Sequence, residues 1–151
     1  YDPTIHFVMA GTGDLLPKMI RRVAQLKMGA NFHFTGFLKG NDVDQMFAMS
    51  DVFVMPSISE PFGIVPLEAM RLDVPCVISK QSGVSEVLQN VLKVDFWDIN
   101  GLADSIYGLC HYPKLSEMFK KKGKEEVDNL KWEFASKKIK DVYEKAIEIT
   151  K

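Results

Sequence analysis

The chain has 151 residues, 46% of them apolar and 26% charged, with a formal net charge of −1. That length suits one domain with a real core. Near-neutral charge gives no basic footprint for nucleic acid and no attraction to anionic lipid, so neither is expected as a partner. No apolar run approaches the ~20 residues that cross a bilayer, and no signal-peptide pattern is present. Cys76 and Cys110 make neither a disulfide framework nor a metal set. Both are expected reduced, which fits a cytoplasmic compartment.

Taken in order, Ile5 to Ala10 reads as a buried strand closed by the turn Gly11-Thr12-Gly13. Thr12 or Asp14 is placed to cap a helix to about Met28, with Leu15, Met19, Val23 and Leu26 near one face. Asn31 to Thr35 is a second strand, and Gly36 to Asn41 a loop containing Leu38. Asp42 is placed to cap a short helix bearing Val43, Met46 and Phe47. Val52 to Met55 is a third strand, followed by a helix from about Ile64 to Leu72 and a fourth strand, Val74 to Ser79. A helix near Ser85–Gln89, a fifth strand from Val91 to Phe96, and helices over Ile99–Leu109 and Leu115–Leu130 follow. The last helix, from about Phe134, spaces Ala135, Ile139, Val142, Tyr143 and Ala146 for one face.

Alternating strands and helices, with strands that are near-continuous apolar runs, predict an α/β fold. Its sheet is parallel and doubly wound, covered by helices on both sides in three layers. Five strands either close in the order second-first-third-fourth-fifth or leave a gap filled by a partner chain. Ligands of such sheets gather at the carboxyl ends of strands, where Gly11, Gly36 and Glu60 fall.

The most informative stretch is Ser57-Ile58-Ser59-Glu60-Pro61-Phe62-Gly63-Ile64-Val65-Pro66-Leu67-Glu68-Ala69-Met70. Pro56, Ser57 and Ser59 end the strand, and Gly63 permits a tight turn. Pro66 fits a first helical turn, where a missing N–H costs little. Strand, glycine turn and helix start together make an anion site. Glu68, four residues after Ile64, sits one turn along the same face. A diphosphate on the N–H groups of Phe62, Gly63 and Ile64 would bring an attached ribose to Glu68, whose carboxylate accepts from a vicinal diol. Glu60 would face the other end of the diphosphate. That arrangement suits a nucleoside-diphosphate sugar.

The same residues carry a family resemblance. Glu60 through Glu68 resembles the E-x7-E motif of retaining glycosyltransferases with the GT-B fold, specifically the large family 4 group. Phe47-Ala48-Met49-Ser50-Asp51-Val52-Phe53-Val54-Met55-Pro56-Ser57 is similar to that family's lead-in strand. Leu67-Glu68-Ala69-Met70, Pro75-Cys76-Val77-Ile78-Ser79 and Ser82-Gly83-Val84-Ser85-Glu86-Val87 resemble its following helix, strand and loop.

The resemblance implies a Rossmann-like, donor-binding C-terminal domain that transfers sugar from a nucleotide to an acceptor hydroxyl with retention. It gives Glu60 the catalytic position, Phe62, Gly63, Ile64 and Glu68 the donor site, and Leu38 a backbone contact to the base. Gly11 and Gly13 would form a strand-to-helix turn close to the donor. No metal and no cofactor are expected. In that family the donor domain begins earlier, with a strand and helix bearing an Arg and a Lys that hold the diphosphate. Residues 1–151 are therefore read as one nucleotide-sugar-binding domain, a fragment lacking the family's first strand and its N-terminal acceptor domain. Such a fragment is expected to lack turnover. Two departures stand out: Asp73 where glycine usually ends the helix, and Ser82 for the first glycine of a pair.

Plainer readings compete at each position. Glu60 also reads as a helix cap or solvated loop acid, and Glu68 as an exposed helical acid paired with Arg71. Gly11-Thr12-Gly13-Asp14 fails as a dinucleotide fingerprint, because Leu16 stands where the third glycine belongs. Asp42-Val43-Asp44 imitates a metal-binding DxD but precedes a helix, where capping is expected. His6, His33 and His111 show no triad or ligand spacing and read as structural; the methionines, Trp97 and Trp132 read as core, with Trp97, after a strand end, also placed to border the cleft, and Lys120-Lys121-Lys122 reads as a solvated face. Other classes remain open: another GT-B enzyme such as a sugar-nucleotide epimerase, or a non-catalytic flavodoxin-like binding module.

Overall fold

The computed structural model describes residues 2–149, the side chains of 132 and 134 excepted. Among the described residues there are five strands and six α-helices, alternating as expected as far as the fifth strand: β1 Phe7–Ala10, α1 Leu16–Gln25, β2 Phe32–Gly36, α2 Asn41–Ala48, β3 Phe53–Met55 and α3 Val65–Arg71. Then come β4 Cys76–Ser79, a 3-10 turn at Gly83–Glu86, β5 Leu92–Val94, α4 Ile99–His111, α5 Pro113–Asn129 and α6 Trp132–Ile149. All strand pairings are parallel, in two sheets ordered β1-β2 and β3-β4-β5. These are three of the four neighbour pairings of the order predicted from sequence. The chain divides into two compact units, Tyr1–Met46 and Phe47–Lys151.

In the first unit, Phe7 pairs with Phe32 and Met9 with Phe34, putting these side chains on one face. The rings of Phe7 and Phe32 stack at 5.8 Å, and those of Phe32 and Phe34 meet at 5.1 Å. The other face, with Val8 opposite His33, is exposed. Here β1 departs from the expected buried strand: its residues alternate between half-buried and exposed. Two of the histidines pair with each other, a contact that their spacing did not show. His6 Nδ1 lies 2.9 Å from His33 Nε2 with the rings stacked, a pairing 27 residues apart in sequence.

Helix α1 starts later than the predicted caps. Its N-cap is Leu15, without a side-chain cap, and Pro17 stands in the first turn. Pro17 needs no N–H partner there, which removes part of what a Thr12 or Asp14 cap would supply. Leu16 rather than Leu15 shares the half-buried face with Met19 and Val23; Leu15 and Leu26 are exposed. Asp42 lies inside the first turn of α2, which begins at Asn41, so it is not the cap.

In the second unit β4 is buried along its whole length. Val77 packs with Val94 and Leu109, and around them lie Val54, Leu92, Leu102, Ile106, Leu115 and Phe119. Cys76, on the opposite face by strand alternation, places its Sγ 3.7 Å from the Pro66 carbonyl of α3. Thus α3 lies against one face of β4 and α4 against the other. Each fully buried Val or Ile here contributes about 1.5–3 kcal/mol. Helix α5 packs on α3 and α4, and Gly123 lets it approach Met70, whose Cε would stand 3.2 Å from a Cβ at 123. Phe47 meets Phe53 edge-on at 5.6 Å.

Several apolar residues are not core. Trp97 is 62% exposed with its ring edge-on to Phe96, and Met49 is also exposed. Ile139, Val142 and Tyr143 of α6 are more than half exposed. The Trp132 side chain lies outside the described residues. Lys121 and Lys122 are solvated as expected, and Lys120 is half-buried.

Candidate functional site

The site begins where β3 ends at Met55. The chain runs through Pro56 and forms an isolated parallel bridge, Glu60 to Ser82, before entering α3. Gly63, buried, adopts φ +90°, a conformation that favours glycine. A Cβ there would stand 3.0 Å from both Glu60 Cγ and Met55 Cε. The stem of Glu60 is therefore folded over Gly63.

Ile64 is the N-cap of α3, without a side-chain cap, and Pro66 occupies the first turn. Among the described residues, the N–H groups of Phe62, Gly63 and Ile64 donate to no protein acceptor. Phe62 and Ile64 are exposed around them. Glu68 donates its own N–H to the Ile64 carbonyl at 3.2 Å, which fixes the one-turn spacing read from the sequence. Its side chain is exposed. Among the described residues, neither the Glu60 nor the Glu68 carboxylate is engaged in a hydrogen bond or ion pair, including the alternative Glu68–Arg71 pair. Glu60, Phe62, Gly63, Ile64 and Glu68 thus share one strand-to-helix junction, with both acids uncommitted.

Gly11, Gly13 and Leu38 belong to the first unit. Gly11, at φ +124°, ends β1 and donates its N–H to the Gly36 carbonyl at 2.7 Å. The Gly13 carbonyl accepts from Leu16 at the start of α1. A Cβ at Gly11 or Gly13 would meet nothing within 4 Å. Leu38 is half-buried in the loop after β2, between Gly36 and Gly40, both at positive φ.

Three residues around the junction, Lys80, Gln81 and Asp95, escape sequence reading, and a fourth, Gly83, is read only as part of a resembling loop. Lys80 and Gln81 bind the two oxygens of Asp95 at 2.8 and 2.9 Å. Those hydrogen bonds, Lys80 first and Gln81 next, hold the Asp95 carboxyl below the usual carboxylate range. Gly83 donates to the Glu60 carbonyl at 2.9 Å. The only advance signal was the place of Gly83 beside the glycine-to-serine departure. Ser82 is buried and its Oγ donates to the Ser79 carbonyl at 2.7 Å, so the serine there faces inward.

Burial pushes the Cys76 thiol up to about 12, which makes it a packing group and not a nucleophile. Among the described residues, no three His, Cys, Asp or Glu side chains are grouped to hold a metal ion. No described helix is long and apolar enough to cross a membrane.

The sequence profile of the family described as "Glycosyl transferases group 1" matches residues 1–126. The chain belongs to that family. This group 1 domain is 34% identical over 114 residues to the sulfoquinovosyl transferase of Arabidopsis thaliana, covering 72% of the chain and 22% of that protein. It is 30% identical over 140 residues to the N-acetyl-alpha-D-glucosaminyl L-malate synthase of Bacillus anthracis, covering 91% of the chain and 35% of the relative. The domain therefore spans about a fifth to a third of these relatives' lengths. Its fold is that of solved GT-B enzymes. TarM superposes with a TM-score of 0.84 at 21% identity, over 94% of this chain and 29% of TarM. Anabaena HepE in complex with UDP also gives 0.84, at 19% identity, over 95% and 42%.

Proposed function

We propose that this domain is the donor-binding half of a retaining glycosyltransferase, with the nucleoside-diphosphate sugar held at the β3–α3 junction. The observation that carries the reading is the pair of uncommitted acids, Glu60 and Glu68, flanking three N–H groups that have no protein acceptor among the described residues. Relatives support the ligand class, since HepE has been crystallised with UDP-glucose.

Glu60 holds sugar hydroxyls and stabilises positive charge at the anomeric carbon as the bond to the diphosphate breaks. The N–H groups of Phe62, Gly63 and Ile64 take up the negative charge that develops on the leaving diphosphate, where preorganised donors contribute most to catalysis. Helix α3 has only seven residues, so these directed N–H groups matter more than its dipole. Glu68 accepts from the ribose hydroxyls. The departing diphosphate takes the proton of the acceptor hydroxyl, so the domain needs no separate general base. The proposed reaction includes no metal and no cofactor.

From the family resemblance, Leu38 contacts the base through its backbone, and Gly11 and Gly13 serve the donor. An N-terminal domain of the same enzyme binds the acceptor, the enzyme works in the cytoplasm, and residues 1–151 alone have no turnover. A thermal-shift panel of UDP-, GDP- and ADP-sugars on the full-length enzyme tests the assignment. One donor class raises Tm if the reading holds, and no shift with any class contradicts it.

A further inference from the structure

Behind the Glu60 loop stands a second loop, residues 79–86, that is bound to the ends of β4 and β5. Ser79 Oγ donates to Gln81 Oε1 at 2.9 Å and accepts the Gln81 N–H at 3.0 Å. The Gln81 carboxamide reaches Asp95 and also accepts the Phe96 N–H at 3.2 Å. Ser82 Oγ donates to the Ser79 carbonyl, and Ser85 Oγ to the Lys80 carbonyl at 2.8 Å. Every one of these bonds lies within the β4–β5 side of the unit, so this loop is rigid without help from the Glu60 loop.

The Glu60 loop has no such bracing. Segment 56–62 is held by the same neighbour alone among the described residues, through the parallel bridge of Glu60 with Ser82, where Gly83 N–H donates to the Glu60 carbonyl at 2.9 Å, and through Val84 N–H to the Phe62 carbonyl at 2.7 Å. Closing that bridge requires glycine at 83. A Cβ there would stand 2.1 Å from the Pro61 carbonyl oxygen, 2.9 Å from its carbon and 3.2 Å from Phe62 Cα. All three are backbone atoms, so no side-chain rotation relieves the clash.

We propose that Gly83 is a positioning residue for sugar transfer, the point through which the braced 79–86 loop sets the place of Glu60 and of the N–H groups beside it. The inference rests on the donor-site reading of Glu60. Of the two loops the Glu60 loop is the one that yields, because its neighbour is bonded along its length. A methyl group at 83 therefore displaces Glu60 and Phe62 while β4 and β5 stay in place. Displacements of about 1 Å at a reacting centre cost on the order of a hundredfold in rate.

The test uses the full-length enzyme carrying Glu60→Gln, Gly83→Ala, and both together. Release of nucleoside diphosphate is followed with whichever of UDP-glucose, GDP-mannose or ADP-glucose turns over fastest. Gly83→Ala lowers kcat at least tenfold and changes the donor KM less than threefold. The double variant is no more than twofold slower than Glu60→Gln alone, since a residue acting through Glu60 adds no further loss once that acid is gone. Amide exchange shows the N–H groups of residues 83 and 84, which donate to Glu60 and Phe62, deprotected in Gly83→Ala and β4 unchanged.

Three results overturn the proposal: kcat of Gly83→Ala within twofold of wild type, losses that multiply in the double variant, or the N–H groups of 83 and 84 exchanging as in wild type. If Gly83→Ala does not fold, Gln81→Ala supplies the comparison from outside the contact. A kcat loss that vanishes in the Glu60→Gln background supports the proposal, and kcat within twofold of wild type overturns it. No thermal shift of the wild type with any UDP-, GDP- or ADP-sugar, or an unaffected Glu60→Gln, contradicts the donor-site reading itself and is read from separate arms.

Discussion

Glu60 rests its Cγ where a side chain at Gly63 would begin, 3.0 Å from that ideal Cβ position. The acid and the turn are one object: the φ of +90° at Gly63 shapes the floor on which the Glu60 stem lies. Gly63→Ala meets two penalties at once, a left-handed backbone and contacts with Glu60 and the Met55 thioether. We expect it to lower unfolding free energy by about 1–3 kcal/mol in denaturant titration. Donor turnover should fall further than that loss explains, because Glu60 moves with the turn.

The end of α3 gives a prediction of opposite sign. Asp73 adopts φ +59° with its N–H on the Met70 carbonyl, and the Val74 N–H reaches back to Ala69 at 3.0 Å. This is a Schellman closure, whose left-handed position favours glycine. Asp73→Gly should raise stability by about 0.5–1 kcal/mol, the relief of left-handed strain less the added unfolded-state entropy. Lys27, at φ +57° after α1 with the same bond pattern, predicts a second such site. Chemical denaturation of the two glycine variants checks both.

The cysteines provide a chemical check on the core. Cys76 is fully buried against α3 and Cys110 is exposed on α4, so iodoacetamide should label Cys110 and spare Cys76 until the chain unfolds. Because the folded Cys76 thiol is raised from 9.0 to about 12, its contribution is fully present below pH 9. Above that the unfolded chain ionises first, so stability declines as pH climbs towards 12. Equilibrium unfolding of wild type and Cys76→Ser across pH 8–11 should show a steeper alkaline decline with the cysteine than without it.

What the sequence made legible follows from range. The run Pro75-Cys76-Val77-Ile78-Ser79 announces a strand buried on both faces because each residue reports its own surroundings. Glu68 was placed correctly against Ile64 because helix period is local. The His6–His33 pair and the Gly83–Pro61 contact join residues more than twenty apart, and nothing near either partner signals the other. Trp97 was misjudged because ring size favours burial in general but says nothing of which side of a strand end it leaves. The caps of α1 and α2 failed at positions where Pro17 and Asn41 alter the first turn.

The most direct test of the donor site is calorimetric titration of nucleotide into the full-length enzyme and its Glu68→Ala variant. The Glu68 side chain is exposed and its carboxylate is engaged with no described residue, so its truncation should leave folding unchanged. The ribose assignment predicts that UDP, or whichever diphosphate the thermal-shift panel selects, binds the variant more weakly by about 1.5–3 kcal/mol, the worth of a hydrogen bond to a charged group. Glu60→Gln, on the sugar side, should weaken the sugar nucleotide and leave the free nucleotide unchanged. Equal affinity of wild type and Glu68→Ala for the nucleotide would contradict the account.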